Sequence, residues 1–327
     1  MRLLVVTFNA SPRDRQAIER SLGNLAELRF LADARSEDRL ALLGNAEALL
    51  SWNPSRELGA EEIAALEKAE FMELLSAGVD HLPFESFPSR LRIAGNSGGY
   101  AEPMAEHVMA LLLALAKDFR GGHRKLAAGI FDQKSANRRV AGMTAGIVGY
   151  GGIGRATARL MKAFGMRVEA INRSVKGDEN ADWIGSLRDL DALLPRADVL
   201  LLALPLTAET RGLIGSRELG LMKPDAILIN VARGEIIGER DLYEHLRGHP
   251  HFLAGIDAWW TEPLRHGEFR TNYPFFELEN LLGSPHNSGI VPGAMEDALQ
   301  MALANLERFL SGKAVLGLAS RDEYRTD

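Results

Sequence analysis

The stretch TAGIVGYGGIGRATARLMKAFG, residues 144–165, sets a strand, a glycine-rich turn and a helix in direct succession. Residues 145–148 form a short apolar run, and the text after the glycines has the apolar spacing of a helix ending near Gly165. Gly149, Gly151 and Gly154 make G-x-G-x-x-G, a weak pattern alone and a strong one between a strand and a helix. The first glycine permits the tight turn, the second lets backbone approach a pyrophosphate, and the third lets helix and strand pack closely. A diphosphate would then rest on the helix N-terminus, with Gly152, Ile153 and Arg155 contributing to its amide cradle. The expectation is a bound dinucleotide.

Working outward, the same rhythm continues on both sides. Downstream strand candidates are residues 167–171, 199–203, 226–231, 253–257 and 281–282; upstream ones are 3–8, 48–52, 71–75 and 91–94. Alternating strands and helical segments predict α/β architecture: two Rossmann-like, doubly wound parallel-sheet domains. Residues 99–288 would be the dinucleotide-binding domain. Residues 1–98 plus 289–327 would be a flavodoxin-like substrate domain, made discontinuous because the helix predicted over 292–310 returns to it. The run AEPMAEHVMALLLALAK, residues 101–117, is apolar on more than one face and must be buried, whether between domains, between subunits or within one chain. The terminal RDEYRTD is polar and expected to fray.

Composition narrows the function classes. The 327 residues suit two cores better than one. A net charge of -6, with no block of like charges, gives no electrostatic case for nucleic acid or an anionic membrane as partner. The absence of cysteine excludes disulfides, thiolate metal sites and a cysteine nucleophile. No apolar stretch approaches the roughly 18 residues of a membrane span, and the short N-terminal run reads as a buried strand, so the expected location is cytoplasmic.

Cofactor choice turns on the end of the strand after the glycines, where an NAD-binding domain places Asp or Glu about 20 residues on. This chain has Asn172, Arg173 and Ser174 there. With no carboxylate to repel a phosphate and a cation beside a hydroxyl, NADP(H) is the expected preference, with NAD(H) possible if Arg173 is only a solvated loop residue.

Three further motifs fall just past late strands, the edge where open α/β sheets bind ligands. They are ILINVARGEII with Arg233, AGIDAWWTEPL with Asp257 and Glu262, and LLGSPHNSG with His286. Together with SAGVD (76–80), AEH (105–107), GYGGIG and ALPLTAETRGLI from Ala203, they make the sequence resemble the D-2-hydroxyacid dehydrogenase family, including its glyoxylate and hydroxypyruvate reductases. The resemblance runs over most of the chain. It implies hydride transfer between a nicotinamide dinucleotide and a small 2-oxo or 2-hydroxy acid, with Arg233, Glu262 and His286 catalytic. It also implies cofactor contacts at Leu204, Pro205, Thr210, Val231 and Asp257, the last near the nicotinamide carboxamide. Ala77, Gly78 and Val79 become a substrate-carboxylate cradle, joined by Arg233 and His286.

The chemistry suits those residue types. A planar guanidinium binds a carboxylate bidentately and polarises a carbonyl. Imidazole can give or take the proton, and a carboxylate on its far nitrogen favours the charged ring. Substrate would lie in a cleft whose closure expels water. A homodimer is expected from the resemblance and the long apolar helix.

Weaker signals stay open. Trp259 and Trp260 could cap the substrate pocket or pack at a domain boundary; His107 reads as a packed helix residue. His245 and His249 lack the zinc-protease glutamate, and no metal site is expected. Glu262 argues against formate dehydrogenases, which carry Gln there, and the lysine-free SAGVD loop against phosphite dehydrogenases. A dinucleotide-sensing co-regulator on the same fold remains the alternative of a different class.

Overall fold

The computed structural model describes residues 1–324. The chain divides into two compact units, one made of Met1–Tyr100 with the chain from Pro292 onward, the other of Ala101–Val291.

The first unit holds five parallel strands: β1 (Arg2–Val6), β2 (Ala26–Phe30), β3 (Ala48–Ser51), β4 (Phe71–Leu74) and β5 (Arg92–Ala94). Their order, β2-β1-β3-β4-β5, is the flavodoxin-like doubly wound one. Inner strands covered on both faces are wholly buried, as β3 and β4 are, and read as apolar runs broken only by Ser51 and Glu73. The edge strand β2, AELRF, was absent from the expected set because only its ends are buried and its middle carries charge. The helix Pro12–Leu22 starts where Ser11 and Asp14 form a capping box before Pro12.

The helix Ala294–Leu310 belongs to this unit and buries Leu299, Leu303, Leu306 and Phe309 against the sheet. Phe309 stacks on Phe71 with ring centroids 4.9 Å apart. Beside them, Glu73 of β4 is 1% exposed and accepts a 2.6 Å hydrogen bond from Asn305 Nδ2. Burial pushes its carboxyl up to about 8, against the pull of that donor. The folded state therefore keeps a proton that the unfolded chain releases above 4.5. This contribution to stability is full below that value and is lost as pH rises through about 8. Glu73→Gln, which cannot ionise, is expected to flatten the fall in melting temperature between pH 5 and 8; a slope equal to wild type would contradict it.

The terminal segment is not loose where it is described. Arg321 donates to the carbonyls of Phe84, Phe87, Pro88 and Leu91, and Tyr324 stacks on Phe84 at 5.1 Å. The expected fraying fails there because a guanidinium gathers four carbonyls, of which those of Phe84 and Pro88 also accept backbone amides; residues 325–327 lie outside the described residues.

The second unit holds seven parallel strands: β6 (Thr144–Val148), β7 (Arg167–Ile171), β8 (Trp183–Gly185), β9 (Val199–Leu202), β10 (Ile227–Asn230), β11 (Leu253–Ile256) and β12 (Leu281–Gly283). The order β12-β11-β10-β9-β6-β7-β8 is that of a Rossmann sheet, with the strand order reversing between β6 and β9. The edge strand β8, three residues long, was also absent from the expected set.

The apolar helix Ala101–Ala116 lies inside this unit. Val108, Met109, Leu111 and Leu112 join the core under Ile147, Val168, Leu201 and Ile229. Sheet residues and the neighbouring helix Gly152–Ala163 cover its apolar faces, so its pattern needs no second domain or subunit to explain it. Exposed apolar side chains lie just beyond it instead, at Phe119, Leu126, Ile130 and Phe131.

Candidate active site

The glycine loop leaves β6 at the point where the strand order reverses. Gly149 has φ +99°, and a Cβ there would stand 2.3 Å from the Ala203 carbonyl oxygen. A Cβ at Gly154 would stand 2.1 Å from the Gly149 oxygen, so the third glycine is needed for the helix to seat against the turn. At Gly151 a Cβ would meet nothing within 4 Å; it would instead occupy open space directly before the helix Gly152–Ala163. That helix has no side-chain cap and no acid in its first turn. Uncapped amides facing open space fit a pyrophosphate.

The Arg155 side chain turns away from this cradle. It pairs with Asp178 at 2.5 Å and lies over the Tyr150 ring, while the Tyr150 hydroxyl donates to Asp178 at 2.7 Å. Burial opposes ionisation of Asp178, but its hydrogen bonds from Tyr150, the Asn180 amide and Arg155 outweigh that and lower its pKa. The loop after β7 is thereby tied to the glycine helix. Within that loop Asn172 Nδ2 donates to Ser174 Oγ at 3.1 Å, and Arg173 and Ser174 are exposed.

On the β9 side two expected wall residues are turned inward. Leu204 is buried in the core, and the Thr210 hydroxyl donates to the Pro205 carbonyl at 2.7 Å while accepting from the Thr207 amide. Their work is to shape the loop, and of the three only Pro205 is exposed. Val231 is likewise core.

Arg233, Glu262 and His286 come from the ends of β10, β11 and β12. His286 Nδ1 lies 2.8 Å from both Glu262 oxygens, which leaves Nε2 as the ring nitrogen for a substrate oxygen. Glu262 is 8% exposed and also accepts from the Trp259 amide at 2.6 Å. Burial alone would raise its pKa, but the hydrogen bond and charge of His286, the Trp259 amide and the charge of Arg233 together lower it. An ionised carboxylate thus sits among a guanidinium, an imidazole and an amide.

The Arg233 turn has its own braces. Asn230, fully buried, donates from Nδ2 to the Arg233 carbonyl at 2.9 Å and accepts the Ala232 amide at 3.0 Å. A Cβ on Gly234 would lie 2.3 Å from the Trp259 carbonyl carbon, so only glycine lets this turn press against the segment leading to Glu262. The two tryptophans are packing groups. Trp259 is 4% exposed and donates from its indole to the Ser284 carbonyl at 2.8 Å; Trp260 donates to the Ile237 carbonyl and stacks on Phe275 at 5.2 Å.

Asp257 is 0% exposed, and its carboxylate accepts from the Ser284 hydroxyl at 2.6 Å and from the Asn287 and Ser288 amides at 3.3 Å. It holds the loop carrying His286, a task the sequence did not suggest beside the expected carboxamide contact. His107 is not merely packed: its Nε2 lies 2.9 Å from Ser284 Oγ. In the first unit Ala77 is exposed, and among the described residues the amides of Gly78 and Val79 have no protein acceptor. His245 stacks on His249 at 4.2 Å near the end of the helix Glu239–Gly248, and no metal-holding group of side chains occurs among the described residues. No described helix is long and apolar enough to cross a membrane.

A Rossmann sheet with an open glycine cradle, and an Arg, Glu and His brought together past its strand ends, defines a dinucleotide-dependent oxidoreductase. The signature of the D-isomer specific 2-hydroxyacid dehydrogenase NAD binding domain matches residues 109–288. The chain belongs to the D-isomer specific 2-hydroxyacid dehydrogenases and is an oxidoreductase of that family. A glyoxylate reductase from Pyrococcus furiosus is 30% identical, the alignment covering 90% of this chain and 95% of that protein. Among solved structures, a glycerate dehydrogenase related protein from Thermoplasma acidophilum is 33% identical, with TM-score 0.64 over 94% of this chain and 99% of that one. A Pyrobaculum aerophilum protein, described provisionally as a formate dehydrogenase, is 28% identical with TM-score 0.83 over 99% of this chain and 100% of that one.

Proposed function

We propose that this chain is a cytoplasmic D-2-hydroxyacid dehydrogenase acting chiefly as a reductase of small 2-oxo acids such as glyoxylate or hydroxypyruvate, with NADP(H) preferred over NAD(H). The observation carrying the reading is the His286–Glu262 pair at 2.8 Å beside the charge of Arg233. When bound, the nicotinamide supplies the hydride that adds to the carbonyl carbon. Arg233 holds the substrate carboxylate and polarises the carbonyl. His286 gives its Nε2 proton to the carbonyl oxygen, and Glu262 keeps the ring oriented and its positive charge balanced. In the reverse direction the neutral ring takes the proton.

The NADP(H) preference rests on Asn172 at the end of β7, where a carboxylate would repel a 2′-phosphate, and on exposed Arg173 and Ser174. The testing experiment mixes the purified protein with NADPH or NADH and glyoxylate, hydroxypyruvate, pyruvate and longer 2-oxo acids, following loss of reduced cofactor. Tight NADPH binding with no oxidation across the panel would overturn the enzyme reading in favour of a sensor. Asn172→Asp is expected to shift the NADPH-to-NADH ratio of kcat/KM toward NADH by about tenfold or more, since like charges brought together cost several kcal/mol. An unchanged ratio would refute the phosphate argument.

The proposed assembly is a homodimer through the segment bearing Phe119, Leu126, Ile130 and Phe131, whose exposed apolar side chains are close in sequence. Phe131→Asp is expected to give one chain mass by light scattering where the wild type gives two.

A further inference from the structure

His286 has φ +51°, a left-handed conformation uncommon for a residue with a Cβ. It persists only where its surroundings impose it. The imposing group is Asp257, whose buried carboxylate draws in the amides of Asn287 and Ser288 on one side of His286 and the hydroxyl of Ser284 on the other. A carboxylate only accepts, so the Ser284 proton points at Asp257 and the Ser284 oxygen is left to receive a donor. His107 Nε2, 2.9 Å away, is placed to be that donor. It comes from the helix Ala101–Ala116, an element that carries none of the catalytic groups and whose core packing fixes it in place.

We propose that His107 is a positioning residue for the reaction. Through Ser284 and Asp257 it completes a three-link chain that holds residues 284–288, and with them His286, in the geometry that meets Glu262. A chain of hydrogen bonds polarises along its length, so a donor at the His107 end strengthens the Ser284–Asp257 link at the other. The partly exposed His107 ring, with 25% of its side chain accessible, lies 3.7 Å from Asp257 Oδ1. It therefore acts on Asp257 mainly through the serine hydroxyl.

The inference rests on the proposed reductase reading, and its test separates the two. His107→Ala, His107→Gln and Ser284→Ala would be compared with wild type by NADPH oxidation, by NADPH affinity and by hydrogen exchange of the 284–288 amides. His107→Ala is expected to lower kcat about tenfold or more, the scale seen when the partner orienting a functional histidine is removed. KM for the acid and affinity for NADPH should stay near wild type, and the 284–288 amides should exchange faster. His107→Gln, which can still donate, should restore most of kcat; general loss of packing would lower all three readouts and would not be rescued. Wild-type kcat in His107→Ala, or no rescue by Gln, overturns the inference and leaves the reductase reading standing. A wild type that turns over no acid overturns that reading instead, and unchanged exchange in His107→Ala would then overturn the clamp. If His107→Ala does not fold, Ser284→Ala carries the same comparison.

Discussion

Arg233→Ala is expected to lower kcat/KM for a 2-oxo acid by about 10²- to 10³-fold, the scale of losing one charged stabiliser at a developing oxyanion. NADPH affinity should change little. The cradle for the dinucleotide is built from Gly149, Gly151 and the first turn of the helix Gly152–Ala163, whereas Arg233 follows β10 and is braced by Asn230. The guanidinium supplies a charge felt at Glu262 and two parallel donors for a carboxylate, so Lys should rescue only part of the loss. Steady-state kinetics with both acid and cofactor varied, beside fluorescence titration of NADPH, separates the two effects. Equal losses in kcat/KM and in cofactor affinity would place Arg233 in the dinucleotide site and remove it from the chemistry.

The glycine turn was legible because its requirements are local. A positive φ at Gly149 and a space too tight for any Cβ at Gly154 leave their mark within six residues of text. The convergence of Arg233, Glu262 and His286 was legible for another reason: each lies in the segment that follows a strand, and parallel strands in one sheet bring their ends to one edge. What escaped was either marginal or distant. The edge strands β2 and β8 bury too few side chains to show an apolar run. The His107–Ser284 contact joins residues 177 apart, and neither partner alone differs from an ordinary helix histidine or loop serine. The loop-bracing bond of Thr210 also escaped, because a threonine after a strand can face a ligand or brace its own loop, and its sequence does not show the 2.7 Å bond to Pro205. The surroundings of the long apolar helix stayed open for a related reason, since its pattern records burial without saying what does the burying.

Glu262→Gln separates charge from geometry at the reacting group. The amide oxygen can still accept from His286 Nδ1, so the ring keeps its direction, but the counter-charge is gone. Reduction draws a proton from the ring, and without the carboxylate nothing balances the charge the ring carries before it gives that proton up. In the reductive direction kcat is therefore expected to fall by about 10²-fold, the low end of the range for general acid catalysis. Stability should respond at the acid edge of the pH scale. The folded-state pKa of Glu262 lies below its ordinary 4.5, so the folded protein binds that proton less readily than the unfolded chain. Its contribution is full above that value and is lost as pH falls through the lowered one. The gap in melting temperature between wild type and Glu262→Gln should accordingly narrow on acidification below about pH 4.5. Wild-type kcat in the variant would mean that the carboxylate only orients the ring and that its charge plays no part in the proton transfer.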